Sequence, residues 1–221
     1  RQRNVARRLV SKTKEGELLA CSDLFKVKME EFKQDVIKTY AESRNNDNYQ
    51  GLAMYKDYQE LIARDDIDAV IVATPDHWHA KPTIEALNSG KDVYCEKPLA
   101  HTVEEGRAMV NATRKNNRVL QTGSMQRSSR NKFKHACELV RNGYLGTIKK
   151  VEVSVGDPEI PYDLEGEPIP AGFNWEEWCG PSAVGPYSHF LAPPQNTGLR
   201  FWPKWRDYTE YGGGQLCDWG A

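Results

Sequence analysis

Short apolar runs of strand length alternate with longer helix-periodic runs through the first two-thirds of this 221-residue chain, and that alternation restricts the fold more than any other feature. Ala69-Val70-Ile71-Val72-Ala73 is apolar at every position, sits in a strand pattern over Asp68–Thr74 and is stopped by Pro75. A strand apolar on both faces is one that both faces bury, as in parallel sheets. Ahead of it, Glu17–Ser22 is a shorter strand pattern ending at Asp23. Residues 25–44 form a helix of period near 3.6, with Phe25, Met29, Phe32, Val36, Ile37 and Tyr40 on one stripe. Asn45–Gln50 is a polar loop, Met54-Tyr55 a short strand, and Asp57 is placed to cap a helix over Tyr58–Arg64. Beyond the buried strand come a helix at 79–89 closed by Gly90, a strand at Asp92–Cys95, and a helix opened by Thr102 or Glu104 that runs to about Asn116. A strand at Arg118–Thr122 and a helix at Ser129–Asn142, closed by Gly143, follow. Residues 2–14 read as a basic amphipathic helix with Val5, Leu9 and Val10 on one side. Helices of crossover length between strands imply an α/β fold, a doubly wound parallel sheet covered on both faces.

The pattern changes near residue 146. Ile148–Val155 alternates in polarity and reads as a half-exposed strand. From Asp157 to Pro203 the chain is rich in Pro, Trp and Gly and has little periodicity. The expected division is 1–146 for the parallel-sheet domain and 147–221 for the beginning of a second, α+β domain folded largely as loops. With 30 Lys+Arg against 31 Asp+Glu, and basic residues mixed among acids, the chain is neither a bulk nucleic-acid binder nor a carrier of a polybasic membrane patch. No apolar run approaches the roughly 20 residues that cross a bilayer. Cys21, Cys95, Cys137, Cys179 and Cys217 are odd in number and lack CxxC spacing. They read as free thiols in a reducing compartment, which points to the cytoplasm. Arg1-Gln2-Arg3-Asn4 carries no apolar signal core; a periplasmic location stays open if an export signal was removed. The sequon Asn111-Ala112-Thr113 falls in a predicted helix and is discounted.

Ligands of open parallel sheets bind beyond the carboxyl ends of the strands. After the first strand pattern stands Asp23, which can accept both hydroxyls of an adenosine ribose and repel a 2′-phosphate, or else cap the next helix. After the apolar strand comes Thr74-Pro75-Asp76-His77-Trp78-His79. Two His one residue apart can bind a metal, but no third ligand is spaced nearby, so no metal is expected. The loop reads better as a turn into a helix whose first amides face a cofactor. After Asp92–Cys95 comes Glu96-Lys97-Pro98: a lysine at a strand tip can donate to a hydroxyl or carbonyl oxygen and exchange a proton, or be a solvated surface residue. Near the far end, Gly212-Gly213-Gly214 precedes Asp218, which reads as an acid in the first turn of a helix or as part of a site.

Together these segments resemble the Gfo/Idh/MocA oxidoreductases. The resemblance rests on Ala73-Thr74-Pro75-Asp76-His77-Trp78-His79, then Ala86 to Lys91 with its AxxxGK spacing, then Glu96-Lys97-Pro98. It continues through Asn142-Gly143-Tyr144-Leu145-Gly146, Asn174 to Pro181 and Gly212 to Ala221, which look like a bacterial branch of the family. The fold so implied is a Rossmann-like doubly wound sheet whose first strand and glycine-rich turn precede Arg1, followed by the start of an α+β domain. The resemblance implies Lys97 beside a nicotinamide and the reacting hydroxyl, with a peptide to Pro98 that is often cis. It places Asp23 on the adenosine ribose, favouring NAD over NADP, with Thr74, Pro75, Trp78 and His79 lining the cofactor loop and Glu96 near the nicotinamide ribose. Asp218 would open a DxxxH pair whose His falls just past Ala221. It further implies a homo-oligomer, dimer or tetramer.

The expected activity is hydride transfer between NAD and a secondary hydroxyl of a sugar, polyol or glycoside, with Lys97 as the proton relay and Asp218 orienting the substrate. Trp175, Trp178 and Tyr187 either stack on a sugar face or pack a core, and Arg206 is a candidate substrate contact. Two alternatives remain: a redox-assisted glycoside hydrolase that recycles its NAD, and a cofactor-binding module without catalysis.

Overall fold

A computed structural model of the chain describes residues 16–44, 49, 51–124, 133–193 and 203–220. The basic helix expected at 2–14, most of the loop at 45–50, the first residues of the helix expected at 129 and Trp202 lie outside them. Five strands and seven α-helices are found among the described residues. They are β1 (Ala20–Ser22), α1 (Lys26–Arg44), β2 (Ala53–Tyr55), α2 (Tyr58–Ile62), β3 (Ala69–Val72), α3 (Ala80–Asn88), β4 (Asp92–Cys95), α4 (Val103–Lys115), β5 (Leu120–Thr122), α5 (His135–Arg141), α6 (Trp175–Cys179) and α7 (Gly214–Gly220).

All strand pairing within these sheets is parallel. β1 pairs with β2, and β3-β4-β5 form a second ladder with Val72 opposite Cys95 and Cys95 opposite Thr122. The α/β class read from the alternation is the fold observed. Local chemistry sets the helix ends. Asp57 accepts from Gln59 N at 2.8 Å. Thr102 and Glu105 form a reciprocal capping box at the start of α4. α3 stops where Gly90 takes φ +78°, a left-handed conformation that a side chain disfavours.

Two aliphatic clusters hold this part. Val72 and Val93 from adjacent strands meet Ala86 and Leu87 of α3 and Met109 and Ala112 of α4. Val36 and Tyr40 of α1 close on Leu52. The third cluster is aromatic and belongs mainly to residues 173–211: Phe173, Trp175, Trp178, Tyr187, Trp205, Tyr208 and Tyr211, with Phe25 stacked on Phe173 at 4.3 Å. Regular structure is sparse there, as the composition implies.

The strand expected at Ile148–Val155 is not formed; its residues run without strand pairing and are mostly exposed. A strand requires a neighbour to hydrogen-bond, and among the described residues none flanks it. The parallel bridge Ile160–Tyr208 is the pairing found in this half. Among the described residues, no helix is long and apolar enough to cross a membrane.

Candidate active site at the strand tips

The loops leaving β3 and β4 lie side by side because their strands are paired in register, so Thr74–His79 and Glu96–Pro98 are neighbours. His79 locks them together: its ring nitrogens lie 2.6 Å from Pro98 O and 3.0 Å from Thr74 O. Burial lowers its pKa, against the pull of those carbonyls. His79 is therefore enclosed between two loops, a brace of the cofactor loop rather than a group open to a ligand. Trp78 also works inward, donating Nε1–H to Trp178 O at 2.7 Å. Its indole lies against Gly180, where a Cβ would come 2.2 Å from the ring. Pro75 is half-buried and lends its carbonyl to Trp78 N. Thr74 remains exposed.

Across this seam the aromatic half delivers two charged groups to the tip of β4. Lys97 Nζ lies 2.7 Å from Asp218 Oδ1 and also donates to the main-chain oxygen of Asp218. Arg206 Nε lies 3.4 Å from the same Oδ1, and its guanidinium stacks 3.9 Å over the Trp205 ring. The Lys97 side chain is 13 % exposed and that of Asp218 3 %. A charged pair so shielded from water interacts far more strongly than a surface pair, and leaving either member alone is costly. The Lys97–Pro98 peptide is cis.

Asp76 shares this enclosure. It is 3 % exposed, and burial pushes its carboxyl up to about 7, with Asp218 adding to the rise and Arg206 and Lys97 opposing it. Sequence reasoning passed over it inside the TPDHWH loop; the available signal was an acid one residue past the proline that ends an apolar strand. At this site two of the buried carboxylate oxygens among the described residues, Glu96 Oε1 and Asp218 Oδ2, have no hydrogen-bond partner. Acceptors left unpaired beside the tip of β4 require donors, and the hydroxyls of a ribose and of an alcohol substrate supply them. On that ground the residues present fit a dinucleotide and an alcohol.

Asp23 follows β1, and its Oδ1 accepts from Phe25 N at 2.9 Å, the cap-like contact. Burial raises its pKa, and the Lys28 ammonium opposes the rise. Trp175 and Trp178 require a correction: neither offers a face to a sugar. They stack on each other at 4.7 Å, are 4 % and 6 % exposed, and Trp175 donates to Gly185 O. Tyr187 is buried beside them. Eight nearby rings bury more apolar area packed together than one bound sugar would cover, so the core claims them. His77 joins this core, its Nε2 3.0 Å from Trp178 O, and burial lowers its pKa to about 4. Among the described residues no group of three or more His, Cys, Asp or Glu is arranged to hold a metal ion.

A parallel α/β sheet with acids and a lysine gathered beyond its carboxyl edge defines the class of Rossmann-type proteins. Residues 20–124 match the model of the Gfo/Idh/MocA family, described as an oxidoreductase family with an NAD-binding Rossmann fold, and this segment of the chain is similar to that family. It is 36% identical over 107 residues to a myo-inositol 2-dehydrogenase of Thermotoga maritima, covering 48% of this chain and 32% of that protein. It is 56% identical over 48 residues to a glycosyl hydrolase family 109 protein of a Shewanella species, covering 22% of this chain and 10% of that protein. Its fold is similar to that of scyllo-inositol dehydrogenase from Lactobacillus casei, solved with NAD(H) and scyllo-inositol, at a TM-score of 0.51 and 23% identity over 64% of this chain and 38% of that one. The chain spans between 26% and 33% of the length of three curated relatives that it matches.

Proposed function

We propose that the chain carries the cofactor-binding part, residues 1–146, and the opening of the substrate part, residues 147–221, of an NAD-dependent oxidoreductase. The substrate class is a secondary alcohol of a sugar, polyol or glycoside. The observation that carries this reading is the shielded Lys97–Asp218 pair at the carboxyl end of a parallel strand, beside carboxylate oxygens that lack donors.

When bound, NAD supplies the hydride acceptor. The chain's own residues do the rest. Lys97 Nζ, once it has given one proton to solvent, accepts a hydrogen bond from the substrate hydroxyl, takes that proton as the carbonyl forms, and returns it in the reverse direction. Asp218 fixes the amine through Oδ1 and keeps Oδ2 for a second substrate hydroxyl, while Arg206 holds Asp218 from the other side. Glu96 Oε1 accepts from a ribose hydroxyl of the nicotinamide half. Asp23 accepts from the adenosine ribose and repels a 2′-phosphate, which favours NAD over NADP. The experiment is to mix the full chain, NAD and candidate polyols and follow NADH absorbance for wild type and Lys97→Ala. Loss of turnover by about two orders of magnitude with NAD binding kept supports the reading. Unchanged turnover sinks it in favour of a non-catalytic cofactor-binding module.

The match to a glycosyl hydrolase family 109 protein favours a second reading: a glycoside hydrolase that oxidises a ring hydroxyl transiently, expels the aglycone by elimination, adds water and reduces the sugar again. Aglycone release without accumulating NADH selects it over the dehydrogenase.

A further inference from the structure

The alternation of side chains along β4 puts Tyr94 and Glu96 on the same face of the strand. The register that sets Cys95 opposite Thr122 carries Gly123 level with Glu96, and Gly123 N donates to Cys95 O at 2.7 Å. Gly123 has no side chain, and its neighbours use the space: a Cβ there would lie 2.7 Å from the Tyr94 hydroxyl oxygen and 2.9 Å from Glu96 Oε2. Those two atoms therefore close on one point above the glycine. The two oxygens of Glu96 differ in kind. Oε2 stands beside the tyrosine and accepts from Lys97 N at 3.4 Å, whereas Oε1 is buried without a hydrogen-bond partner, in a residue only 8 % exposed. We propose that Tyr94 is a positioning residue for the cofactor, with Gly123 as the space it needs: its hydroxyl holds Oε2 of Glu96 over the bare glycine, so that Oε1 is the oxygen offered to a hydroxyl of the nicotinamide-side ribose. This inference rests on the dinucleotide reading of the site and names what aims one of its contacts.

A glutamate carboxylate can turn about its last bond and exchange its oxygens, so an unheld Glu96 would have to be ordered when a ribose arrives. Tyr94 removes that freedom in advance. A hydroxyl that donates to an ionised acceptor forms a stronger bond than one between neutral groups. The phenol keeps its proton near neutral pH, because burial first, then the Glu96 charge and the hydrogen bond to Glu96, raise its pKa above the ordinary value. That bond falls on Oε2, since Oε1 has no partner. The glycine is part of the device. Both distances from a Cβ at 123 are shorter than real Cβ contacts, so any side chain there would push the hydroxyl or the carboxylate aside.

Isothermal titration of the full-length protein with two probes tests this: ADP-ribose, which carries the ribose in question, and ADP, which lacks it. Tyr94→Phe, which removes only the hydroxyl, should weaken ADP-ribose by about five- to tenfold and leave ADP unchanged. Glu96→Ala should weaken ADP-ribose at least as much. Adding Tyr94→Phe to Glu96→Ala should cost nothing further, because the hydroxyl acts through the carboxylate that it holds. Gly123→Ala should reproduce the selective loss. Equal weakening of both probes by Tyr94→Phe, or losses from Tyr94→Phe and Glu96→Ala that add in full, would make Tyr94 a packing residue and overturn the proposal while the dinucleotide reading stands. Unchanged ADP-ribose affinity in Tyr94→Phe does the same. If wild type binds neither probe, the dinucleotide reading itself fails and takes this role with it.

Discussion

Residues 20–124 and residues 157–220 bury their cores by different means. The first stretch uses aliphatic side chains at regular intervals on paired strands and two flanking helices, so each position is fixed by a ladder or a helical turn. The second uses rings against rings, on a path with one isolated bridge and short helical turns. The candidate site needs both. Lys97 is set by strand register; Asp218 and Arg206 are set by how the aromatic cluster seats itself on Trp78 and His77. A half-built site is therefore the expected result of damage to either half, with different signatures. Damage at a strand tip removes chemistry and costs stability only through the charge left unpaired, whereas damage to the ring cluster removes the packing that seats both halves.

The largest effect is expected at Lys97. Lys97→Ala should lower kcat by about two orders of magnitude or more, roughly 3 kcal/mol of lost transition-state stabilisation, with the aromatic fluorescence of the folded state unchanged. A comparable loss of structure would mean that the pair with Asp218 holds the halves together rather than serving chemistry. Gly180→Ala comes next and probes the other side of the comparison. The added methyl would sit 2.2 Å from the Trp78 ring at a φ of +53°. Destabilisation of about 2–4 kcal/mol by urea unfolding is expected, with activity falling alongside it. An unchanged midpoint would show that the halves do not register through this contact.

Acid sharpens the comparison, because His77 lies at the seam. Folding keeps its imidazole neutral down to about 4, while in the unfolded chain it takes a proton near 6.5. Its contribution is complete above the unfolded value and is lost as pH falls from 6.5 toward 4, approaching about 3 kcal/mol. Asp76 acts in the opposite sense. Its raised pKa means that the folded chain binds the proton more tightly, so its contribution is present at low pH and is lost as pH rises from about 4 to about 7. The two slopes oppose each other. The measurement is therefore the difference in unfolding free energy between wild type and His77→Gln at pH 7 and pH 4.5. That difference should shrink on acidification; a constant difference would place the ring proton outside the folding balance.

The same contrast governs what could be read from the sequence. The apolar run at 69–73, the Asp57 and Thr102 caps and the strand at Asp92–Cys95 are local signals, because period and capping operate within a few residues. Lys97 and Asp218 each stood at the end of a recognisable pattern, but their meeting spans 121 positions and depends on tertiary packing. The aromatic half offered no period to follow. Trp175 and Trp178 suit a core more readily than a sugar face but are compatible with either from sequence alone, and their neighbours Tyr187 and Tyr211 place them in the core. Asp76 was missed for a related reason: the burial that raises its pKa is assembled from separate segments, and nothing adjacent in sequence announces it.

The smallest expected effect serves as the control for the regular half. Thr102 accepts from Glu105 N at 3.2 Å, and Glu105 Oε2 accepts in return from Thr102 N at 3.1 Å, so each satisfies an amide that helix α4 would leave open. Glu105 also takes a hydrogen bond from His101 N, which fixes the entry of the chain four residues after the site lysine. Thr102→Ala removes one of these three contacts, on an exposed turn where water partly replaces it. A loss of about 1 kcal/mol in unfolding free energy is expected, with kcat and the pH–rate profile unchanged. Thr102→Ser, which keeps the oxygen, should recover most of it. If Thr102→Ala alters turnover while costing so little stability, then the loop from Lys97 to His101 is held by α4 rather than by β4 and the His79 brace, and the division between a rigid strand-built half and a ring-seated half would have to be redrawn around that helix.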